Sequence, residues 1–121
     1  RSNPLDMLKP VMTMDDVRDL QAAVRGVSVI YSLKEYIVQL NTNTRTHDDV
    51  ILGISPRGGV ALQRCAQALA LLRGRDFVTP DDIKSAFYAT GTHRLLTRDR
   101  RQETAREVIG AILSDTRVPL E

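Results

Sequence analysis

Residues 55–74 constrain the fold of this chain more than any other part of its sequence. Ser55 supplies a side-chain cap, and Pro56 suits the first helical position because no backbone N–H is needed there. Gly74 is suited to end the helix in a left-handed conformation. Small residues around the helix predict close packing on more than one side, which is typical of a central helix. Its apolar face consists of Leu62, Cys65, Ala66, Leu69 and Leu72.

Four further segments have the apolar spacing of helices, over residues of about 14–25, 33–44, 80–91 and 103–114. Three of them begin with a predicted capping box, in which a hydroxyl and a carboxylate three residues later bond to each other's backbone. The boxes are Thr13 with Asp16, Ser32 with Glu35, and Thr79 with Asp82. The predicted inward residues are Val17, Leu20, Val24, Leu33, Tyr36, Ile37, Leu40, Ile83, Ala86, Phe87, Ala105, Val108, Ile109, Ile112 and Leu113.

The segments between these helices are short. Residues 41–44, Asn-Thr-Asn-Thr, form a poor helix sequence because their side chains compete for backbone hydrogen bonds, so the second helix is expected to fray there. Residues 95–97 are a candidate for a short extended piece, and the sequence has no Asn-Gly or Asp-Gly hairpin turn. The pattern therefore predicts an all-α fold, a small helical bundle of four to five helices.

Composition narrows the classes of protein to consider. With 121 residues, 42% of them hydrophobic and 26% charged, the chain has the size and balance of one folded domain. No apolar run is long enough to span a membrane, and a net charge of +2 does not favour nucleic acid as a partner. A single cysteine excludes an internal disulfide and favours the cytoplasm. Two prolines among the first ten residues predict a connector over residues 1–12 that leads into a domain of residues 13–121.

Motifs for catalysis and metal binding are absent from the sequence. It contains no G-x-x-x-x-G-K-[ST] phosphate loop, no G-x-G-x-x-G, no H-E-x-x-H and no Cys-x-x-Cys. His47 and His93 lie far apart in predicted loops, where a solvated histidine is the ordinary case. Cys65 belongs to an apolar helix face and is predicted to be an inert thiol. We therefore assign no catalytic residue and no metal ligand.

A cluster of basic residues follows the fourth predicted helix, at Arg94, Arg98, Arg100, Arg101 and Arg106. It could contact phosphates or an acidic partner, and it could equally form a solvated loop with ion pairs to Asp99 and Glu103. The second interpretation is the more ordinary one, because no aromatic residues are interleaved for base stacking.

Arg57 is the most informative single residue. It lies in the first turn of the predicted central helix, where the positive end of the helix dipole prefers an acidic side chain. A guanidinium beside free helix-end amides makes an anion site that suits a phosphate oxygen. A surface arginine with a small energetic cost is the alternative.

Three pieces of the sequence resemble the C-terminal lid of the MoxR family of AAA+ ATPases: residues 53–62 (GISPRGGVAL), residues 66–83 (AQALALLRGRDFVTPDDI) and His93-Arg94. Residues 3–5 (NPL), 36–40 (YIVQL) and 44–45 (TR) agree as well, so the similarity spans nearly the whole chain. The long middle string is specific to the family. Ile54 departs from it, because the family often has a small residue there.

The resemblance implies that Arg57 is the sensor-2 arginine, which reaches from the lid to the phosphates of ATP. Pro56, Tyr36 and Ile37 are implied to border the nucleotide, with Tyr36 and Ile37 packing on adenine or simply on the core. Arg45 could line the same cleft or a subunit boundary. The chain alone would then be no enzyme, and ATP with Mg²⁺ would bind to the parent protein, whose ATPase core precedes residues 1–12.

By the same resemblance, the expected partners are that core, neighbouring subunits of a hexamer and von Willebrand factor A domain proteins. The expected role is chaperone-like, in maturation or metal insertion of client complexes. Two alternatives remain open from the residues. A histone-like or other DNA-binding helical module would open a helix much as residues 78–83 do. A ligand-free protein-interaction bundle would leave Arg57 without a role.

Overall fold

Helices make up most of residues 3–120, which are the residues described by the structure, a computed structural model. After a 3-10 helix at Pro4–Met7, the elements are α1 (Met14–Arg25), α2 (Tyr31–Thr46), β1 (Val50–Leu52), α3 (Pro56–Leu72), α4 (Pro80–Gly91), β2 (Leu96–Thr97) and α5 (Gln102–Asp115). The predicted helical bundle is confirmed, with a two-stranded sheet added to it. Residues 1, 2 and 121 of the predicted connector and domain lie outside the described part.

The central position of α3 is confirmed. It packs against α1, α2 and α4, while α5 packs against α2 and α4. Ala66 and Ala70 are fully buried on α3, and their small side chains allow this close approach. The largest fully buried apolar side chains come from four elements and one loop: Leu40, Ile54, Leu62, Ile83, Phe87 and Ile109. One core therefore holds the ends of α2 and α3 against each other.

Two residues predicted to face inward are exposed. Leu20 on α1 is 44% exposed, because α1 packs against α3 alone and only Val17 and Val24 are half-buried. Leu72 is 84% exposed at the last position of α3, where Leu71 packs against the core instead. The bounds of α1 and its Thr13–Asp16 capping box are as predicted.

Both ends of α2 differ from the prediction. The helix begins at Tyr31 with no side-chain cap, so Ser32 lies inside the first turn and the Ser32–Glu35 capping box does not form. At the other end, α2 stays helical to Thr46 instead of fraying. Thr44 donates a hydrogen bond to the carbonyl of Asn41 and accepts one from the backbone N–H of Ile54. Asn43 donates to the hydroxyl of Thr116, so Asn43 and Thr44 both have a partner in a distant part of the chain, which reduces their competition with the helix. Thr42 instead donates back to the carbonyl of Val38 within the helix.

The sheet joins the loop after α2 to the loop before α5. Strand β1 pairs antiparallel with β2, with Val50 opposite Thr97 and Leu52 opposite Leu96. The extended piece predicted near residues 95–97 is thus confirmed as β2, whereas β1 was not predicted. Its three residues are too few to show an alternating pattern, and its partner lies far along the chain.

The turn between α3 and α4 is built around one buried carboxylate. Asp82 is fully buried and accepts hydrogen bonds from Arg73 at 2.7 Å and from both terminal nitrogens of Arg75 at 2.6 and 2.8 Å. The backbone N–H of Thr79 donates to the same carboxylate at 2.8 Å, as part of the predicted capping box. Gly74 has a φ of 79°, which confirms the predicted left-handed end of α3.

Candidate functional site

The first turn of α3 carries an exposed and unpaired arginine. Arg57 occupies the second helical position after Pro56, and its guanidinium has no hydrogen-bond or ion-pair partner within residues 3–120. Ser55 is the N-cap residue, but its side chain makes no capping bond, so the side-chain cap predicted for this helix is absent. Positive charge and an uncapped helix N-terminus therefore lie together at the surface.

The loop before α3 is held against the end of α2. The backbone N–H of Ile54 donates to the Thr44 hydroxyl at 2.9 Å, and a terminal nitrogen of Arg45 donates to the Ile54 carbonyl at 2.7 Å. Ile54 is 1% exposed, so the larger residue at the position where the resemblance expects a small one is part of the core. Arg45 thus has a structural contact that fixes the start of α3.

Glycines let α3 approach its neighbours at this end. A Cβ at Gly53 would lie 2.7 Å from the Cα of Arg45, and one at Gly58 would clash with Cγ2 of Ile54. A Cβ at Gly59 would meet the side-chain nitrogen of Asn41 at 3.0 Å. The approach at Gly59 brings α2 and α3 together, and those at Gly53 and Gly58 pack the loop before α3 against α2 and against the first turn of α3.

Arg94 is a second cation at the same helix end. Its Cδ lies 3.6 Å from the Cβ position of Gly58, so its aliphatic part packs against the first turn of α3. The side chain is exposed and has no ion-pair partner in the described residues. Sequence reasoning placed Arg94 in the basic cluster and missed this position, although the His93-Arg94 pair was a signal for it.

Three of the four other members of the basic cluster make separate side-chain contacts. Arg101 pairs with Glu103 at 2.6 Å, Arg98 donates to the carbonyl of Asp48, and Arg106 lies over the ring of Tyr88. These local contacts match the interpretation of a solvated loop with ion pairs.

A groove runs between α2 and α3 next to Arg57. This α2–α3 groove has a volume of about 270 Å³ and is lined by Lys34, Ile37, Val38, Asn41, Arg45, Pro56, Gly59, Val60 and Gln63. The structure therefore brings together Ile37 and Pro56, two of the predicted site residues, beside the third, Arg57. Val38 and Val60 are both more than half exposed, which gives the groove apolar walls open to a ligand.

Tyr36 lies in a different groove. It lines a depression formed with Ser32, Glu35, Gln39 and residues 117–120. Its side chain is 3% exposed, and its hydroxyl has no hydrogen-bond partner in the described part of the chain. Burial raises the pKa of Tyr36, so the phenol is neutral at physiological pH. Ile37 and Tyr36, which are neighbours in sequence, thus face different surfaces.

The nucleophilic and metal-binding side chains form no centre within residues 3–120. Burial raises the pKa of the half-buried Cys65 thiol, which keeps it protonated and unreactive. Nowhere in that part do three His, Cys, Asp or Glu side chains come together as metal ligands would. None of its helices has both the length and the apolar character needed to cross a bilayer.

Known proteins resemble this chain in sequence and in fold. A family model described as AAA lid domain matches residues 42–115. The uncharacterized protein YeaC of Bacillus subtilis (strain 168) is 40% identical over 124 residues, covering 100% of this chain and 39% of YeaC. The chaperone MoxR1 of Mycobacterium tuberculosis is 31% identical over 97 residues, covering 73% of this chain and 26% of MoxR1.

A solved structure extends the comparison to three dimensions. The crystal structure of a candidate ATPase from Cytophaga hutchinsonii superposes with a TM-score of 0.79 at 27% identity, covering 87% of this chain and 36% of that one. The chain therefore spans well under half of the length of each of these relatives.

Proposed function

This chain belongs to the AAA lid domain family, and from that premise we propose that it is the nucleotide-sensing lid of an ATP-hydrolysing parent protein, with Arg57 as its sensor-2 arginine. The observation that supports this role is the exposed, unpaired guanidinium at the uncapped N-terminus of α3. An arginine there is unfavourable for the isolated helix and favourable once a phosphate lies beside it.

The proposed mechanism is electrostatic. A charge-assisted hydrogen bond from Arg57 to a terminal phosphate oxygen contributes about 1.5–3 kcal/mol, and it is present with the triphosphate and weakened after hydrolysis. That difference lets the lid change its angle to the rest of the protein with the state of the nucleotide. Arg94 adds a second positive charge at the same helix end. Pro56 and Ile37 border the base in the α2–α3 groove, whereas Tyr36 lies in the other groove.

The groups that cleave ATP belong, in this proposal, to the rest of the parent protein. No group of three or more His, Cys, Asp or Glu side chains lies together within residues 3–120, so we assign the Mg²⁺ ligands to the rest of the parent. Binding and orienting nucleotide is the task left to this chain. We place the parent in a hexameric ring in the cytoplasm, with a chaperone-like role in maturation or metal insertion and with von Willebrand factor A domain partners. The name of the relative MoxR1 supports the chaperone part of this proposal.

Replacing Arg57 tests the function. In the intact protein that contains this chain, we expect Arg57→Ala to lower kcat/KM for ATP roughly 10- to 150-fold, which corresponds to the loss of about 1.5–3 kcal/mol. Thermal stability should stay within about 0.5 kcal/mol, as for most surface substitutions. Steady-state ATP hydrolysis and thermal unfolding measure the two quantities.

Arg64→Ala is the matched control, because Arg64 is another exposed arginine on α3 and bonds only to Gln67. It should leave ATP turnover near the wild-type value. Equal turnover by wild-type and Arg57→Ala protein would overturn the sensor role and leave the ligand-free interaction bundle as the better description.

A further inference from the structure

Asn41 differs in its hydrogen bonding from the polar residues that follow it at the end of α2. Its side chain is 4% exposed, yet its Oδ1 is buried with no hydrogen-bond partner among residues 3–120. Neighbouring Asn43 donates to the hydroxyl of Thr116, and Thr44 bonds to Asn41 and Ile54. Buried amides are normally satisfied, so an unsatisfied one on the wall of a groove points to a ligand.

The surroundings of Asn41 suit a flat ring. The amide lines the α2–α3 groove, and its nitrogen lies against the backbone of α3 at Gly59. Ile37, Pro56 and Val60 supply apolar surface around it. At about 270 Å³ the groove lies just below the usual size of ligand pockets, which fits one ring system rather than a whole nucleotide. Phosphates would then extend toward Arg57, which follows Pro56 in the same turn.

We propose that the Asn41 amide reads the edge of the purine in this groove and selects adenine over 6-oxopurines. This inference rests on the nucleotide-binding function proposed above. A carboxamide carries one donor and one acceptor, and because Oδ1 is buried, the side chain turns toward the groove to present both to a ligand. Adenine offers a matching acceptor at N7 and donor at N6, whereas guanine offers acceptors at both N7 and O6. With guanine, the Asn41 oxygen faces another acceptor, O6, so the two hydrogen bonds to the base edge cannot both form.

The test compares nucleotides that differ at one position of the base. In the intact protein, calorimetry measures the Kd of non-hydrolysable analogues of ATP and of inosine triphosphate, whose base has an oxygen in place of the 6-amino group. We expect the wild type to bind the adenine analogue at least tenfold more tightly. Asn41→Leu, which keeps the side-chain size, should bring the two Kd values within about twofold by weakening the adenine analogue. Gln63→Leu, at another position on the same groove, should keep the preference.

The outcomes separate this inference from the proposed function. If the wild type binds both analogues equally, or if Asn41→Leu keeps the preference, base reading by Asn41 is overturned. Arg57→Ala should weaken both analogues and leave their ratio unchanged, and this result upholds the proposed function whatever Asn41 does. If Arg57→Ala leaves both Kd values unchanged, the proposed function fails. Equal binding of both analogues by the wild type overturns the inference without any variant. If Asn41→Leu is unstable, Asn41→Ala, which removes the amide without adding bulk, should likewise bring the two Kd values within about twofold, and a retained preference would overturn the inference.

Discussion

Asp82→Asn should lower the free energy of unfolding by about 1.5–3 kcal/mol, because a buried carboxylate would lose charge-assisted hydrogen bonds from two partly exposed arginines. The carboxylate is fully buried and accepts from Arg73, Arg75 and Thr79. An asparagine has one oxygen in place of two and would turn an N–H donor toward the guanidinium groups. Urea unfolding of the purified chain measures the change.

Asp81→Asn is the matched control for this prediction. Asp81 is the preceding residue in the same helical turn, but it is exposed, so the same chemical change there should cost only a few tenths of a kcal/mol. A loss of similar size in the two variants would contradict the role given to the buried carboxylate.

The same carboxylate predicts how stability depends on pH. Burial alone would raise the pKa of Asp82, but the hydrogen bonds from Arg75, Thr79 and Arg73 outweigh it and hold the pKa well below its usual range. The resulting stabilisation is complete above the unfolded pKa of about 3.9 and is lost as the pH falls toward the folded value. The gap in stability between wild type and Asp82→Asn should therefore narrow as the pH falls below about 4.

These contacts explain why the string over residues 66–83 identified the family so well. Gly74 provides the positive φ, Arg75 and Asp82 form the buried pair, and Thr79 completes the capping box. The most specific part of the sequence thus encodes a turn between α3 and α4. The shorter string around Arg57 carries the candidate site, so recognition of the family and recognition of the site depend on different residues.

Capping residues close to a helix start predicted the helices whose first turn is fixed by contacts within that turn. The bounds of α1 and α4 follow from capping residues within three positions of each helix start, and both matched. The end of α2 could not be predicted in this way. Asn43 and Thr44 look like helix breakers until their partners, Thr116 and the backbone of Ile54, are known. Strand β1 could not be predicted from its own residues either, because it forms only when paired with β2, and neither strand is stable alone.

The residues of the candidate site fall into the same two groups, those that a local sequence signal marks and those that only the folded chain defines. Arg57 could be singled out from sequence because its position conflicts with the helix dipole, which is a local property. Asn41 could not, since its contact with α3 exists only in the folded chain. For Arg94 the His93-Arg94 pair was a signal in the sequence, but its position beside the first turn of α3 is likewise created only by folding. Tyr36 and Ile37 are adjacent in sequence, and only the rotation of α2 in the bundle separates the groove beside Arg57 from the groove beside residues 117–120.

Gly53→Ala should damage both the fold and the site. The new Cβ would lie 2.8 Å from the backbone nitrogen of Arg45 and 2.7 Å from its Cα, and helix backbone cannot move away as a flexible side chain could. The loop must shift instead, which strains the hydrogen bonds of Ile54 to Thr44 and Arg45. Overpacking of about 1–3 kcal/mol and two weakened hydrogen bonds of about 1 kcal/mol each give an expected loss of roughly 3–5 kcal/mol.

Gly26→Ala controls for the loss of glycine flexibility, because a Cβ there meets only ordinary contacts at 3.5 and 3.6 Å. It should change the free energy of unfolding by less than about 1 kcal/mol, in either direction.

The displaced loop in Gly53→Ala leads directly into Pro56 and Arg57, so nucleotide affinity of the intact protein should fall at temperatures where the variant is still folded. Unfolding in urea and calorimetric titration with an ATP analogue separate these two effects. Wild-type affinity in a destabilised Gly53→Ala protein would mean that the contact of this loop with α2 does not position Arg57.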